Sequence, residues 1–350
     1  MQAVAERRVL TISLCVIAVV AVLFFLRTAR DLLVPIALGV LVSLALDPVV
    51  SWLQRRGLPR VVGAPGIVLL VLTVTVGLSY SLLDDAVQVI EALPSAARQA
   101  RELVTTHVGR SAGAVEQAAA EFEKLPGATG SATVALGTGT VVERVVGRLF
   151  TAAGEAVVIV FLVLFLLLLK DRTRTGIIEI AGSTPERRRL VARIIDDIEA
   201  QIQQFLLVLL LTGIVVAVAT WAALLLLGVS HPAVWGILAG VFNSIPYFGP
   251  VIVGGGLFVV GFVQGGDLAQ ALLMSGIALA ITSLEGWLLT PLLMGKAENM
   301  NALTVFIGLM LWTWFWGAWG TVLAVPMLVI VKSTADHVPG LSRVGRLMAP

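Results

Sequence analysis

The sequence predicts an all-α, polytopic membrane protein whose C-terminal half contains broken, re-entrant helical hairpins. Three observations carry that expectation. Hydrophobic residues make up 58% of the 350-residue chain and charged residues 13%, too few charges to cover a soluble domain of this length. The apolar residues gather into long runs, and basic residues flank those runs asymmetrically. A net charge of +2 gives no case for a nucleic-acid partner. The single cysteine, Cys15, excludes a disulfide framework or a cysteine zinc site within one chain. His107, His231 and His337 are scattered, so no metal site and no cofactor is expected.

The first apolar run, 9–26, follows Arg7 and Arg8 and meets Arg27 and Arg30 without a small-residue cleavage site. It reads as an uncleaved membrane helix rather than a signal peptide. Further runs cover 32–53, interrupted by Pro35 and by Asp47-Pro48, then 61–83, 156–169 and 205–227. Each approaches the roughly 20 residues that carry a helix across about 30 Å of hydrocarbon. Arg55, Arg56 and Arg60 follow the second run; Lys170, Arg172, Arg174 and Arg187 to Arg189 follow the fourth. The positive-inside rule places both groups, and the N-terminus, in the cytoplasm, leaving 84–154 outside. Two connecting segments, 104–122 and 190–205, carry one apolar stripe at helical spacing. Thr184, Pro185 and Glu186, with Ser183, supply start signals for the second.

Beyond His231-Pro232 the pattern changes. A short apolar arm, 233–242, meets Asn243-Ser244-Ile245-Pro246-Tyr247-Phe248-Gly249-Pro250, whose prolines and glycine stop a helix, and a second short arm, 251–263, returns. A long span, 268–294, follows, and the last apolar stretch, 302–331, is split near 316–320. Span plus broken pair thus occurs twice with opposite orientation, an inverted repeat read from hydropathy alone. Counting crossings puts Lys296, Lys332, Arg343, Arg346 and the C-terminus in the cytoplasm. The expected parts are N-terminal scaffold helices (1–83), an extracytoplasmic amphipathic segment (84–154), a span with a cytoplasmic amphipathic helix (155–204), a transport region (205–332) and a cytoplasmic tail (333–350).

Glu285 is the leading candidate residue. It lies deep in the sixth span, where a charge typically costs about 2.5–3.5 kcal/mol, so it is expected to face a polar interior and couple a proton or cation. A carboxylate that only hydrogen-bonds neighbouring helices is the plainer alternative. Asn243 and Ser244 stand in an unwound segment whose backbone could bind an ion or polar solute. Tyr247 supplies either a hydroxyl there or an interfacial anchor. Trp312, Trp316 and Trp319 share one helical face and line a substrate path, or form an interfacial belt or plain packing. Gly236 and Gly240, like Gly261 and Gly265, have the spacing of close helix contacts. Asp47-Pro48 reads as a cap or kink. No HExxH and no intramembrane nucleophile with a base is present, so an enzyme is not expected.

Three blocks then carry a family resemblance: PIALGVLVSLALDPVVSWLQRRGLPR (35–60), NSIPYFGP (243–250) and LEGWLLTPLLMGKAENM (284–300), followed by the terminal LAVPMLVIVK. In these the chain resembles the AI-2E (autoinducer-2 exporter-like) permease family. The resemblance implies a bacterial inner-membrane secondary transporter with about eight helices. It implies homo-oligomers, pentamers in some members, and an elevator-like movement of the second half. The implied substrate is a small solute or signalling molecule, or a monovalent cation in an Na+(Li+)/H+ antiporter. A non-transporting membrane scaffold is the alternative from another class. By carry-over, Asn243, Pro246, Tyr247, Gly249, Pro250, Glu285, Thr290 and Pro291 match the motif positions that build the transport region.

Overall fold

In lipid every backbone N–H and C=O must find a partner within the chain, which leaves helix as the economical choice for apolar runs of this length. The computed structural model describes residues 13–14, 17–18, 20–78, 80, 138–181, 184–245, 248–265, 267–294, 300–338 and 342–349. Among them every regular element is helical. The expectations for Cys15, His107, Ser183, Pro246, Tyr247, Lys296, the stripe over 104–122 and part of the run 9–26 lie outside the described residues.

In chain order the helices are α1 (Arg30–Arg55), α2 (Arg60–Leu78), α3 (Thr138–Ala181), α4 (Pro185–Leu226), α5 (Pro232–Phe242) and α6 (Phe248–Gly265). There follow α7 (Leu268–Leu284), a π-helical turn (Glu285–Leu289), α8 (Thr290–Met294), α9 (Ala302–Trp316), α10 (Ala318–His337) and α11 (Ser342–Met348). Among the described residues five helical segments are long and apolar enough to cross a membrane: α1, α2, α4, the stretch Leu268–Leu289 and α10. Shorter apolar helices occupy Pro232–Phe242, Phe248–Phe262 and Ala302–Trp316. The chain is an integral membrane protein.

Two expectations are corrected by this geometry. Pro35 and Pro48 do not interrupt α1, which runs unbroken through both; packed neighbours compensate for a missing donor in a membrane helix. The span 156–169 and the amphipathic segment 190–205 each form part of a longer helix. They belong to single helices of 44 and 42 residues. At 1.5 Å per residue these are roughly 66 and 63 Å long, so both project well beyond the hydrocarbon.

The chain forms two compact units. The first comprises 1–72, 155–209 and 292–350; the second comprises 73–154 and 210–291. The segment 205–332, expected as one transport region, is therefore divided between them.

Two apolar cores hold the first unit. Val34, Ala37 and Leu41 of α1 pack with Ile202 of α4, Phe315 and Trp316 of α9, and Leu323 and Val329 of α10. Ile198 and Leu206 join this core, so the stripe read in α4 is a packing face. Val50, Ala64, Val68, Val163 and Leu167 make the second core, between α1, α2 and α3. The α9–α10 hairpin turns at Gly317, whose φ of +62° favours glycine. A Cβ on Gly320 would lie 1.9 Å from the Trp312 carbonyl oxygen, so only glycine permits this contact. The C-terminal segment 342–349 is docked: Asn301 donates from Nδ2 to the Leu347 and Ala349 carbonyls at 2.9 and 3.1 Å.

In the second unit, Val216 and Leu224 of α4 pack with Trp235 and Ala239 of α5, Val253 and Leu257 of α6, and Met274 and Ala278 of α7. Glycines bring the backbones together. A Cβ on Gly236 would stand 2.7 Å from the Ala217 carbonyl oxygen, and one on Gly240 2.5 Å from that of Gly213. The spacing read as a close helix contact is one, between α4 and α5.

Candidate functional site

Two of the breaks in helical regularity described in the second unit fall on candidate residues. The first separates α5 from α6. Asn243 caps α5, donating its backbone N–H to the Ala239 carbonyl at 2.9 Å. Ser244 and Ile245 continue the turn with bonds to Val241 and Phe242 at 3.2 and 2.9 Å. Gly249 is buried, and a Cβ there would lie 2.0 Å from the Phe242 carbonyl oxygen. The second arm thus folds back against the end of the first, and no larger residue fits. Pro250 sits in the first turn of α6, where a missing N–H breaks no ladder bond. Asn243 and Ser244 are half-buried, and among the described residues their side chains make no hydrogen bond.

Gly249→Ala therefore forces the tip open. We expect a loss of roughly 1–3 kcal/mol or more, as for overpacking, read as a lowered melting temperature of the purified protein. Gly255→Ala, where a Cβ meets nothing within 4 Å, is the matched control and leaves the melting temperature within a degree or so.

The second break is at Glu285. Here the ladder widens to a π-helical turn over Glu285–Leu289, with the Thr290 N–H returning to the Glu285 carbonyl. Pro291 gives the reason in the sequence. It has no N–H to return to the preceding turn, so the ladder lacks one donor and the register shifts. The shift matters for side chains too. Five residues of α-helix separate two positions by about 140° around the axis, at 100° per residue; a π turn brings them onto one side. Thr290 Oγ1 accordingly donates to Glu285 Oε1 at 2.5 Å. Glu285 and Thr290 are both half-buried, and Gly286 leaves the adjacent flank open. A carboxylate and a hydroxyl are hard oxygen ligands, suited to a proton or a hard cation.

The carried-over residues thus sort as follows. Glu285 and Thr290 meet directly, with the Pro291 backbone shaping their turn. Asn243, Ser244, Gly249 and Pro250 form the hairpin tip in the same unit. Trp312, Trp316 and Trp319 fall in the first unit. The Trp312 and Trp316 rings meet at a tilt of 57° with centroids 4.9 Å apart, and buried Trp316 donates its Nε1 to the Leu26 carbonyl at 3.0 Å. Trp319 is exposed.

One polar cluster was missed. Asp47, expected as a cap or kink, is buried at 6% exposure in the first unit and accepts from two cations. Arg60 Nη2 meets its Oδ1, and Lys170 Nζ its Oδ2 at 2.7 Å. Lys170 also pairs with Glu199 at 2.7 Å, and Arg60 Nε donates to the Leu167 carbonyl at 2.6 Å. Four helices, α1 to α4, are joined through these charges. Lys170 lies just beyond the apolar run that ends at Leu169. Burial lowers its pKa, but the hydrogen bonds and charges of Asp47 and Glu199 outweigh that and hold it raised. The signal in sequence was an acid inside an apolar run, with bases at the ends of two others that were read only as cytoplasmic flanks.

Residues 12–340 match the family described as AI-2E family transporter, and the chain belongs to that family. It is 26% identical over 337 residues to "AI-2 transport protein TqsA" of Escherichia coli (strain K12), covering 94% of this chain and 93% of that protein. It is 24% identical over 349 residues to "Putative transport protein YhhT" of the same organism, covering 95% and 92%. A shorter match, 25% over 191 residues, links it to "Putative permease PerM", covering 55% and 53%.

Proposed function

We propose that this protein is a secondary transporter that moves a small polar solute or signalling molecule across the bacterial inner membrane, coupled to a cation at Glu285. The observation that carries the reading is the π turn, which pairs Glu285 with Thr290 at a break in helical regularity. Intramembrane acids usually mark ion or proton pathways, and interrupted helices are how many transporters present backbone groups to a substrate. The name of TqsA refers to AI-2, and a related signalling molecule is one candidate cargo.

The broader arrangement belongs to the same reading: about eight crossings, both termini cytoplasmic, and two hairpins as inverted repeats. A shared device supports the last point. In each hairpin a glycine near the start of the second helix rests on a carbonyl at the end of the first, Gly249 on Phe242 and Gly320 on Trp312. The second unit, which holds Glu285 and the Asn243 tip, is the part proposed to move in an elevator-like cycle. Homo-oligomers, with pentamers as the working stoichiometry, would provide the fixed frame.

The test is purified protein in proteoliposomes with a pH-sensitive dye inside, challenged with external sodium or lithium and with candidate organic solutes. Solute uptake that rises with a cation gradient supports the proposal. A cation-dependent pH change without any solute favours an Na+(Li+)/H+ antiporter. Absence of both in oriented protein favours a membrane scaffold.

A further inference from the structure

Three buried side-chain polar atoms have no hydrogen-bond partner among the described residues: Thr220 Oγ1, Trp235 Nε1 and Ser333 Oγ. The first two belong to one core. Thr220 stands one turn from Val216 and one turn from Leu224 on α4, and both of those pack with Trp235 of α5 in the second unit. The helix contact sets their level. A Cβ on Gly236 would lie 2.7 Å from the Trp221 Cβ, so residues 220 and 235, each one position earlier, stand at the same height in the α4–α5 pair. The Trp235 ring lies over Gly256 of α6, where a Cβ would meet its Cη2 and Cζ3 at 2.7 Å. Thr220 is 1% exposed and Trp235 5%.

Burying a hydroxyl or an indole N–H without a hydrogen bond is costly, and hydrocarbon offers no solvent to repair the loss. A helical threonine ordinarily turns its hydroxyl to the carbonyl four residues back. Thr282 does so with Ala278 at 3.0 Å; Thr220 does not. We infer that Thr220 and Trp235 form an internal site for one neutral oxygen, that of a water molecule or of a solute hydroxyl, enclosed by α4, α5 and α6.

The donor set selects the guest. An indole N–H only donates, so the guest must offer a lone pair, which excludes a cation. No Asp, Glu, Lys or Arg occurs between residues 210 and 265, and α7 carries none before its π turn, so no basic side chain balances an anion. A hydroxyl oxygen fits: it accepts from Trp235 and makes its second bond to Thr220, which donates or accepts as required. Two polar partners are the minimum that holds a buried water. The position is separate from the Glu285 turn. Ala278, the last buried α7 residue of this core, precedes Glu285 by about two turns, or roughly 10 Å of helix. Occupancy here does not depend on coupling at Glu285.

The test is solid-state NMR of the full chain, labelled with 15N-tryptophan, in phosphatidylethanolamine–phosphatidylglycerol bilayers without added solute. Trp235→Phe identifies the Trp235 indole signal among the eight tryptophans. If that variant does not fold, the signal displaced by Thr220→Val identifies it instead. Magnetisation transfer from water to this buried N–H is expected, reduced at least about twofold in Thr220→Val and retained in Thr220→Ser, since a guest held by two bonds loses one of them. Glycerol then distinguishes the source. A saturable shift of the signal with loss of the water transfer puts a solute hydroxyl in the site, and an unchanged signal leaves water as the occupant. With a guest bound, Thr220→Val should also lower the melting temperature by about 2–4 °C. No water transfer and no response to glycerol overturns the inference. So does a Thr220→Val protein that melts at or above the wild-type temperature, because its hydroxyl then held no guest.

Discussion

Glu285→Gln lowers cation-coupled flux by about tenfold or more, because losing 1.4 kcal/mol of cation binding is already that factor. The substitution is close to isosteric. The amide oxygen still accepts from Thr290 Oγ1, and the π turn, set by Pro291, stays in place. Melting temperature should therefore hold while transport is lost, which separates a coupling role from a structural one. Thr290→Val tests the same pair from the other side. A hydrogen bond to a charged group is worth about 1.5–3 kcal/mol, so the coupling cation should bind roughly 10- to 150-fold differently without it. Pro291→Ala supplies the missing N–H. It is expected to restore α-helical register, turn Thr290 away from Glu285 and reproduce the Thr290→Val defect with no change at either side chain. If Glu285→Gln transports normally and only melts earlier, the carboxylate is a structural hydrogen-bond acceptor and the coupling site lies elsewhere.

How much of this was legible beforehand depended on which interactions are local. Hydropathy and the positive flanks gave the spans, since burial in lipid selects composition directly. Prolines and glycines gave the hairpin break at 243–250 and the split near Gly317, because both residues act on their own backbone. Glu285 was visible as a charge inside an apolar run. Its π turn was not named, although its cause, Pro291, is in the sequence. The prolines of α1 misled for the opposite reason: their effect depends on neighbours, and the helix packed against others stays whole. The lengths of α3 and α4 were hidden because the apolar run ends before the helix does, and the polar continuation is stabilised by tertiary pairs such as Arg174 with Asp196.

The Asp47 cluster is the clearest case of a long-range interaction, joining residues 13, 123 and 152 positions from Asp47 only after α1 to α4 have assembled, as the bonds to Arg60 and Lys170 and onward to Glu199 show. Asp47→Asn should cost about 3 kcal/mol, near the lower end for breaking a buried pair, because Lys170 keeps Glu199 and Arg60 keeps the Leu167 carbonyl. Lys170→Met should cost about as much, leaving Asp47 with Arg60 alone. The double substitution should cost less than the sum, with a coupling of about 0.5–3 kcal/mol, because each change removes the other's unpaired charge. Alkaline titration provides a second check. The raised pKa of Lys170 means that its charge stabilises the fold at neutral pH and that this contribution is lost only as pH rises above the ordinary lysine range. Wild-type stability should therefore fall more steeply there than that of Lys170→Met. A fully additive double mutant with no such difference would mean that the helices are held by their apolar cores and that the charges merely coincide.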